Sequence, residues 1–274
     1  MLFSRIVPDR VRGRIGRLDV QARRAERVYV IGDVHGRRDL FAQIISAIKG
    51  DHAARGPVPA RLILLGDLVD RGPDSATLVE WCKFLTESSN RFVVLKGNHE
   101  AMMVDALSGD LDTLEFWLEQ GGRETLESFA VSPETLAQGP SARLIREARR
   151  RVGAPTLSWM DQLPPMDRHG DHVFVHAGIR PGVPLEQQTE EDLLWIRGPF
   201  LDSDEDHGAI VVHGHTVHPG GPEVRANRIG IDTGAFRTGV LTAVGIEGGE
   251  TWFLSTGSTP KAERREFAPS LATW

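Results

Sequence analysis

The chain has 274 residues, of which 40% are hydrophobic and 26% charged, with 38 acidic against 32 basic side chains for a net charge of -6. That length builds a substantial core without cross-links, and the balance of apolar and charged residues excludes a disordered chain and a membrane protein. The negative charge argues against a general nucleic-acid binder, while a single cysteine, Cys82, rules out an intrachain disulfide and suits a reducing, cytoplasmic compartment.

Residues 1–26 carry seven arginines and no apolar segment of the kind a secretory signal requires, so they read as a flexible N-terminal arm. Residues 259–274 mix charge, proline and small side chains and read as a surface tail. Between them, over 27–258, one unit repeats three times: a short apolar run, a turn of glycine with acidic or amide residues, then a helix-like stripe. Residues 28–31 lead into Gly32-Asp33-Val34-His35-Gly36 and a stripe of Leu40, Phe41, Ile44, Ile45 and Ile48. Residues 62–65 lead into Gly66-Asp67-Leu68-Val69-Asp70-Arg71-Gly72 and a stripe of Leu78, Trp81, Cys82 and Leu85. Residues 92–95 lead into Gly97-Asn98-His99-Glu100 and a stripe of Met102, Met103, Ala106 and Leu107. This grammar of strand, turn and helix predicts right-handed βαβ units, an α/β fold, and polar clusters gathered at the carboxyl edge of one largely parallel sheet. Residues 110–163 follow a mainly helical pattern with an arginine-rich stretch at 143–151, read as a helical insertion with a solvated face. Short strands are expected at 173–175, 210–212, 229–231, 240–246 and 251–254, enough for a second sheet packed on the first.

One glycine-flanked Asp and His after a strand is often just a turn. Three such clusters delivering Asp33, His35, Asp67, Asp70, Asn98 and His99 to one sheet edge are not what chance turns produce, and His176 and His215 follow later strands. Carboxylate and amide oxygens with imidazole nitrogens suit divalent manganese, iron or zinc rather than a thiolate site.

The ordered set Gly-Asp-Val-His-Gly, Gly-Asp-Leu-Val-Asp-Arg-Gly, Gly-Asn-His-Glu, His176-Ala177-Gly178 and Gly214-His215-Thr216 resembles the phosphoprotein phosphatases, metal-dependent serine/threonine phosphatases within the wider metallophosphoesterases. It is most similar to their bacterial and phage branch, and the likeness extends to Leu193-Leu194-Trp195-Ile196-Arg197 and Ile231-Asp232-Thr233-Gly234. The resemblance implies an αββα sandwich of two packed sheets flanked by helices. It implies two divalent ions, manganese first and iron or zinc as alternatives, with Asp33 and His35 on the first, Asp67 bridging, and Asn98, His176 and His215 completing the second. A shared water between two such ions loses its proton near neutral pH and attacks phosphorus in line. Two dications, two carboxylates and a hydroxide leave a centre near +1, so an acidic protein can still hold an anion-selective pocket. By the same resemblance His99 is the general acid, Asp70 the carboxylate that keeps it charged and oriented, and Arg71 and Arg197 the clamps on the phosphate oxygens. No serine or cysteine nucleophile is needed, which leaves Cys82 as core packing.

The implied substrates are phosphoproteins or phosphopeptides, with small phosphoesters accepted, and neither nucleic acid nor a membrane is an expected partner. The main rival is a symmetrical dinucleoside tetraphosphate hydrolase, which shares the metal architecture; the Asp70-Arg71 pair and Glu100 lean toward the protein phosphatase. A phosphoprotein-binding pseudoenzyme is a third reading, opposed by a full set of ligands and acid. Val217 stands where many phosphodiesterases and nucleases carry a second histidine, which favours the phosphatase branch, and the only tyrosine, Tyr29, lies in the first strand. Strand alternation puts His213 on the same side as His215, in reach of a metal or in support of one. Glu100 is expected to favour the helix start, Asp232 to serve a turn or support the ligands, and His52, His169, His172, His207 and His218 to be surface or loop residues.

Overall fold

The computed structural model describes residues 26–257, so the N-terminal arm up to residue 25 and the C-terminal tail lie outside the described residues. Three parallel strands, β1 (Arg27–Ile31), β2 (Ala60–Leu64) and β3 (Phe92–Val94), alternate with α1 (Arg38–Arg55), α2 (Ser75–Ser88) and α3 (Asn98–Ser108), as the repeated unit predicts. Their runs are apolar throughout because both faces are covered. Val28, Val30 and Ile63 point between two sheets, whereas Tyr29, Ile31, Leu62 and Leu64 point into the helices. Burying each such valine or isoleucine contributes about 1.5–3 kcal/mol relative to exposure.

The second sheet runs β4 (Met166–His169), β5 (His172–Val175), β6 (Ile210–His213), β8 (Arg228–Gly230), β7 (Glu223–Val224) in spatial order. Phe174, Val212 and Ile229 meet the first sheet's inner face. The outer face, with Val173, Val175 and Val211, is covered by α9 (Glu190–Trp195) and α10 (Gly198–Leu201) through Leu193 and Phe200. The result is the layered α/β sandwich. β4 and β7 escape the sequence pattern because they are edge strands, short and partly polar, with little apolar face to bury.

The expectation that all the later strands build the second sheet is not met. β9 (Thr242–Glu247) and β10 (Glu250–Ser255) return to the first, giving the order β10-β9-β1-β2-β3, with β9 antiparallel to β1. β1 has a second edge away from β2, and Val244 and Ile246 on β9 fill the inner layer beside Val28 and Val30.

The helical insertion holds α4 (Leu111–Trp117), a π-helical turn (Leu118–Gly122), α5 (Arg123–Ser128), α6 (Pro133–Leu136), α7 (Ala142–Val152) and α8 (Ala154–Asp161). Leu114, Trp117, Leu126, Leu144 and Met160 join the core beneath α1 to α3, and Cys82 is buried there too. Arg143, Arg146, Arg150 and Arg151 on α7 are exposed, as a solvated face requires. No helix among the described residues is long and apolar enough to cross a membrane.

Candidate active site

Every polar cluster lies where a strand ends and a sharp turn begins. His35, Asp67, Asp70, Arg71 and His215 all have positive φ, between 47° and 74°, and the one other non-glycine residue in that region among those described is Ala130. Such a conformation costs on the order of 1–3 kcal/mol per residue and persists only where the surroundings fix it. Part of that fixing is close glycine packing. A Cβ on Gly66 (φ 97°) would lie 2.5 Å from the backbone nitrogen of Gly97, and one on Gly214 would lie 2.0 Å from Asp33 Oδ1.

Asp67 sits at the middle. Its Oδ2 lies 3.4 Å from His35 Nε2 and its Oδ1 lies 3.5 Å from His176 Nε2. His35 Nδ1–H donates to the Val69 carbonyl and His176 Nδ1–H to the Leu65 carbonyl, at 2.8 and 2.9 Å, so each ring turns the lone pair of Nε2 toward the carboxylate. Asn98 Oδ1 is 2.7 Å from His176 Nε2 and 3.1 Å from His215 Nδ1. On the other side Asp33 Oδ2 accepts the His215 backbone N–H at 3.0 Å. Two groups of ligand atoms could each hold a metal ion, His35 with Asp67 and His99, and Asp33 with Asp67 and His176; Asp67 belongs to both.

The electrostatics fit a dication. Burial pushes the Asp33 carboxyl well above its ordinary range, and the charges of Asp232 and Asp67 push it further. Burial would raise Asp67 as well, but His176, His99 and His35 hold it down. Burial keeps the imidazoles of His35, His176 and His215 below their ordinary value and therefore neutral, the form that binds metal. Asp33 Oδ1 and His215 Nε2 are buried without a hydrogen-bond partner, and a group left so in a native site calls for a ligand.

Beside this set, His99 Nδ1 meets Asp70 Oδ2 at 2.5 Å. Burial opposes charge on the His99 imidazole, but Asp67 and Asp70 overcome it and raise the ring above its ordinary value. Asp70 is pushed up by burial against hydrogen bonds from His99, Thr125 and Trp117. Three donors on its two oxygens favour the carboxylate form of Asp70, and its bond to Nδ1 leaves Nε2 as the ring nitrogen free to exchange a proton. Arg71 reaches the same place, with Nη1 2.8 Å from His35 Nε2 and Nη2 2.9 Å from His99 Nε2, its guanidinium 4.6 Å from the Phe236 ring centre. Arg197 is exposed at the rim, where its Nη1 lies 3.5 Å from Thr216 Oγ1 and its charge helps hold His215 neutral. All ten residues singled out in the sequence are therefore brought to one edge of the sandwich, nine of them in direct contact.

His213 is not among them. His215 leaves the strand with φ 61°, which breaks the alternation, and the buried His213 ring packs edge-on against Phe200 at 5.1 Å instead. His172 is likewise buried rather than a surface residue, and His52 lies within α1 with Nδ1 2.8 Å from Arg27 Nη1. Tyr29 bonds Asp51, away from the site.

Glu100 does more than the sequence suggested, and Asp232 serves a turn as expected. Glu100, fully buried, accepts N–H from Asp67 (2.8 Å) and Gly97 (3.0 Å) at Oε2 and from Leu68 (2.8 Å) and Val69 (3.3 Å) at Oε1. It is a template for the loop that carries Asp67. Asp232, pushed up to about 6 by burial against the Gly234 N–H it accepts, adds a further acid beside Asp33. The signal for Glu100 was its position three residues after Gly97, where a helix-start carboxylate can turn back onto neighbouring N–H groups.

The fold and this donor set define a metal-dependent hydrolase architecture, and residues 26–237 match the calcineurin-like phosphoesterases: the chain belongs to that family. It is 30% identical over 236 residues to serine/threonine-protein phosphatase 1 of Salmonella typhimurium, covering 83% of this chain and 95% of that one. It is 29% identical over 179 residues to a symmetrical bis(5'-nucleosyl)-tetraphosphatase of Acidovorax, covering 62% of this chain and 49% of that one, so the chain spans about half the length of this relative. In fold it is similar to the cold-active protein-tyrosine phosphatase of a psychrophilic Shewanella, with a TM-score of 0.52 at 16% identity, covering 81% of this chain and 76% of that one.

Proposed function

We propose that the protein is a phosphomonoesterase acting on phosphorylated serine and threonine side chains of proteins. The observation that carries this reading is the buried His99–Asp70 pair, which fixes an imidazole by its Nδ1 with Nε2 turned beside the metal-ligand set. Departing seryl and threonyl alkoxides are strong bases and leave slowly unless protonated, so an imidazole whose charged form Asp67 and Asp70 favour is of most use to this substrate class. A tetraphosphate releases a nucleotide phosphate that departs without such help. The relative matched over nearly its whole length is a protein phosphatase, which supports the same choice.

In this reading Asp33 and His35 hold one divalent ion, Asn98, His176 and His215 another, and Asp67 both, with the whole of residues 27–258 serving as the catalytic unit. When bound, the ions supply a water activated for attack on phosphorus and positive charge for the phosphate, tasks that manganese, iron and zinc perform. His99 gives its Nε2 proton to the leaving oxygen, and Asp70 holds the ring at Nδ1 while the charge changes. Arg71 exchanges its contacts with His35 and His99 for phosphate oxygens, and Arg197 closes from the rim, a fork-shaped donor suited to that task.

A second reading, symmetrical cleavage of dinucleoside tetraphosphates, is favoured by Trp195. This exposed indole lies 6.3 Å from the His215 ring and offers a face on which a base can stack. Parallel assays with manganese on a phosphoserine peptide and on diadenosine tetraphosphate separate the two. The expected result is metal-dependent release of phosphate from the peptide with the higher kcat/KM, and efficient cleavage of the nucleotide alone would reject the first reading.

A further inference from the structure

The helical insertion does more than complete the core: three of its residues, all within 117–125, grip the loop that carries the acid's partner. Trp117 Nε1–H donates to Asp70 Oδ2 at 2.8 Å, the same oxygen that meets His99 Nδ1. Thr125 Oγ1–H donates to Asp70 Oδ1 at 2.6 Å, and the Asp70 N–H returns a bond to Thr125 Oγ1 at 2.8 Å. The Gly121 carbonyl, turned out by the π-helical segment and a φ of 108°, accepts the Arg71 N–H at 3.2 Å. A Cβ on Gly121 would stand 2.6 Å from that nitrogen, and one on Gly122 would stand 2.6 Å from the Trp117 ring. Trp117, Thr125 and Asp70 are all fully buried.

A carboxylate bonded only to an imidazole can swivel about its own bond and carry the ring with it. Asp70 cannot, because Trp117 and Thr125 fix one oxygen each. We propose that Trp117 and Thr125 are positioning residues of the proton-donating step, holding Asp70 and through it the His99 ring at the angle from which Nε2–H reaches the leaving oxygen. The competing account is that Trp117 only fills space, since it also belongs to the hydrophobic core. This inference rests on the reading of His99 as the acid.

The test uses the full-length chain with manganese and two substrates, a phosphoserine peptide whose leaving oxygen needs a proton and p-nitrophenyl phosphate whose leaving group does not. Trp117→Phe keeps an aromatic ring and removes the N–H; Thr125→Val keeps the shape and removes the hydroxyl, while Thr125→Ser restores it. His99→Asn sets the scale, a loss of about 10²–10⁴ on the peptide with little on the nitrophenyl ester. The expected result for Trp117→Phe and Thr125→Val is a fall in peptide kcat of about ten-fold, a fraction of that scale, with KM unmoved, p-nitrophenyl phosphate within about two-fold, and rescue by Thr125→Ser. Adding Trp117→Phe to His99→Asn should cost nothing further on the peptide, because the two act as one unit. Equal losses on both substrates, or no loss on the peptide, would overturn the positioning role while leaving the acid reading intact. A His99→Asn variant without substrate selectivity would instead remove the reading on which the inference stands. Should Trp117→Phe fold poorly, the Thr125 pair decides the matter in the same way.

Discussion

Glu100→Gln sets two forces against each other at one side chain. Four backbone N–H groups point at its two oxygens, an arrangement that favours the anion. Burial, with the charge of Asp67 behind it, pushes the carboxyl up to about 7. The amide keeps one acceptor oxygen and turns an NH2 toward the remaining pair of N–H donors, either those of Asp67 and Gly97 or those of Leu68 and Val69. Two buried donors left without partners cost about 1–3 kcal/mol each, about 4 kcal/mol together. For a chain of this size that lowers the melting temperature by about 10 °C. Calorimetry of both proteins at pH 8, above the value to which burial pushes the acid, measures it. Titration with manganese should show weaker binding in parallel, because either released pair includes a nitrogen of the 67–69 turn that carries the Asp67 carboxylate. A loss of stability below about 1 kcal/mol would refute this reasoning. The amide is the neutral look-alike of the acid, so a silent substitution would mean that Glu100 is protonated in the native protein and that burial has overcome the four donors.

Gly214→Ala forces a methyl group to within 2.0 Å of Asp33 Oδ1, so metal binding measured by calorimetry should fall at least ten-fold, and normal affinity would show that the loop yields more easily than its geometry implies. Asp67→Asn removes the carboxylate shared by both candidate metal groups and should abolish manganese-dependent turnover of p-nitrophenyl phosphate, an effect that added metal does not restore. The pH dependence of folding should carry the mark of His213, lowered from 6.5 to about 4 by burial. Below pH 6.5 the unfolded chain takes a proton that the native ring refuses, so this stability is present above 6.5 and lost as the pH falls toward 4, by about 3 kcal/mol in all. Urea unfolding at pH 7.5 and 4.5 should therefore show a smaller loss in His213→Gln than in the parent, and equal losses would contradict the assignment.

The site was legible because its residues follow strands, and a strand end can be recognised from an apolar run meeting glycine. Asp33, Asp67 and Asn98 were found that way, and the sheet did the work of collecting them. What the pattern missed follows from its own rules. Alternation assigns His213 and His215 to one side only while the backbone stays extended, and the positive φ at His215 ends that condition. Trp117 and Thr125 lie in the stretch read only as a helical insertion, because a helical pattern does not record which indole or hydroxyl also bonds a distant carboxylate. The destination of β9 and β10 was hidden for a related reason: a hairpin's sequence describes its own pairing and is silent about which open edge it will join.

That edge has a consequence for how the molecule comes into being. β1 lies between β2, its near neighbour in sequence, and β9, with Arg27 and Glu247 paired across 220 positions. The first strand of the domain therefore cannot acquire both of its neighbours until almost the last of the chain is available. Pairings of such long range are slow to close. A nascent chain would meanwhile expose a sticky border beside the very segment that leads into Asp33 and His35. Until β9 arrives to cover it, that border is an unpaired strand edge, the kind of surface on which incompletely folded chains associate.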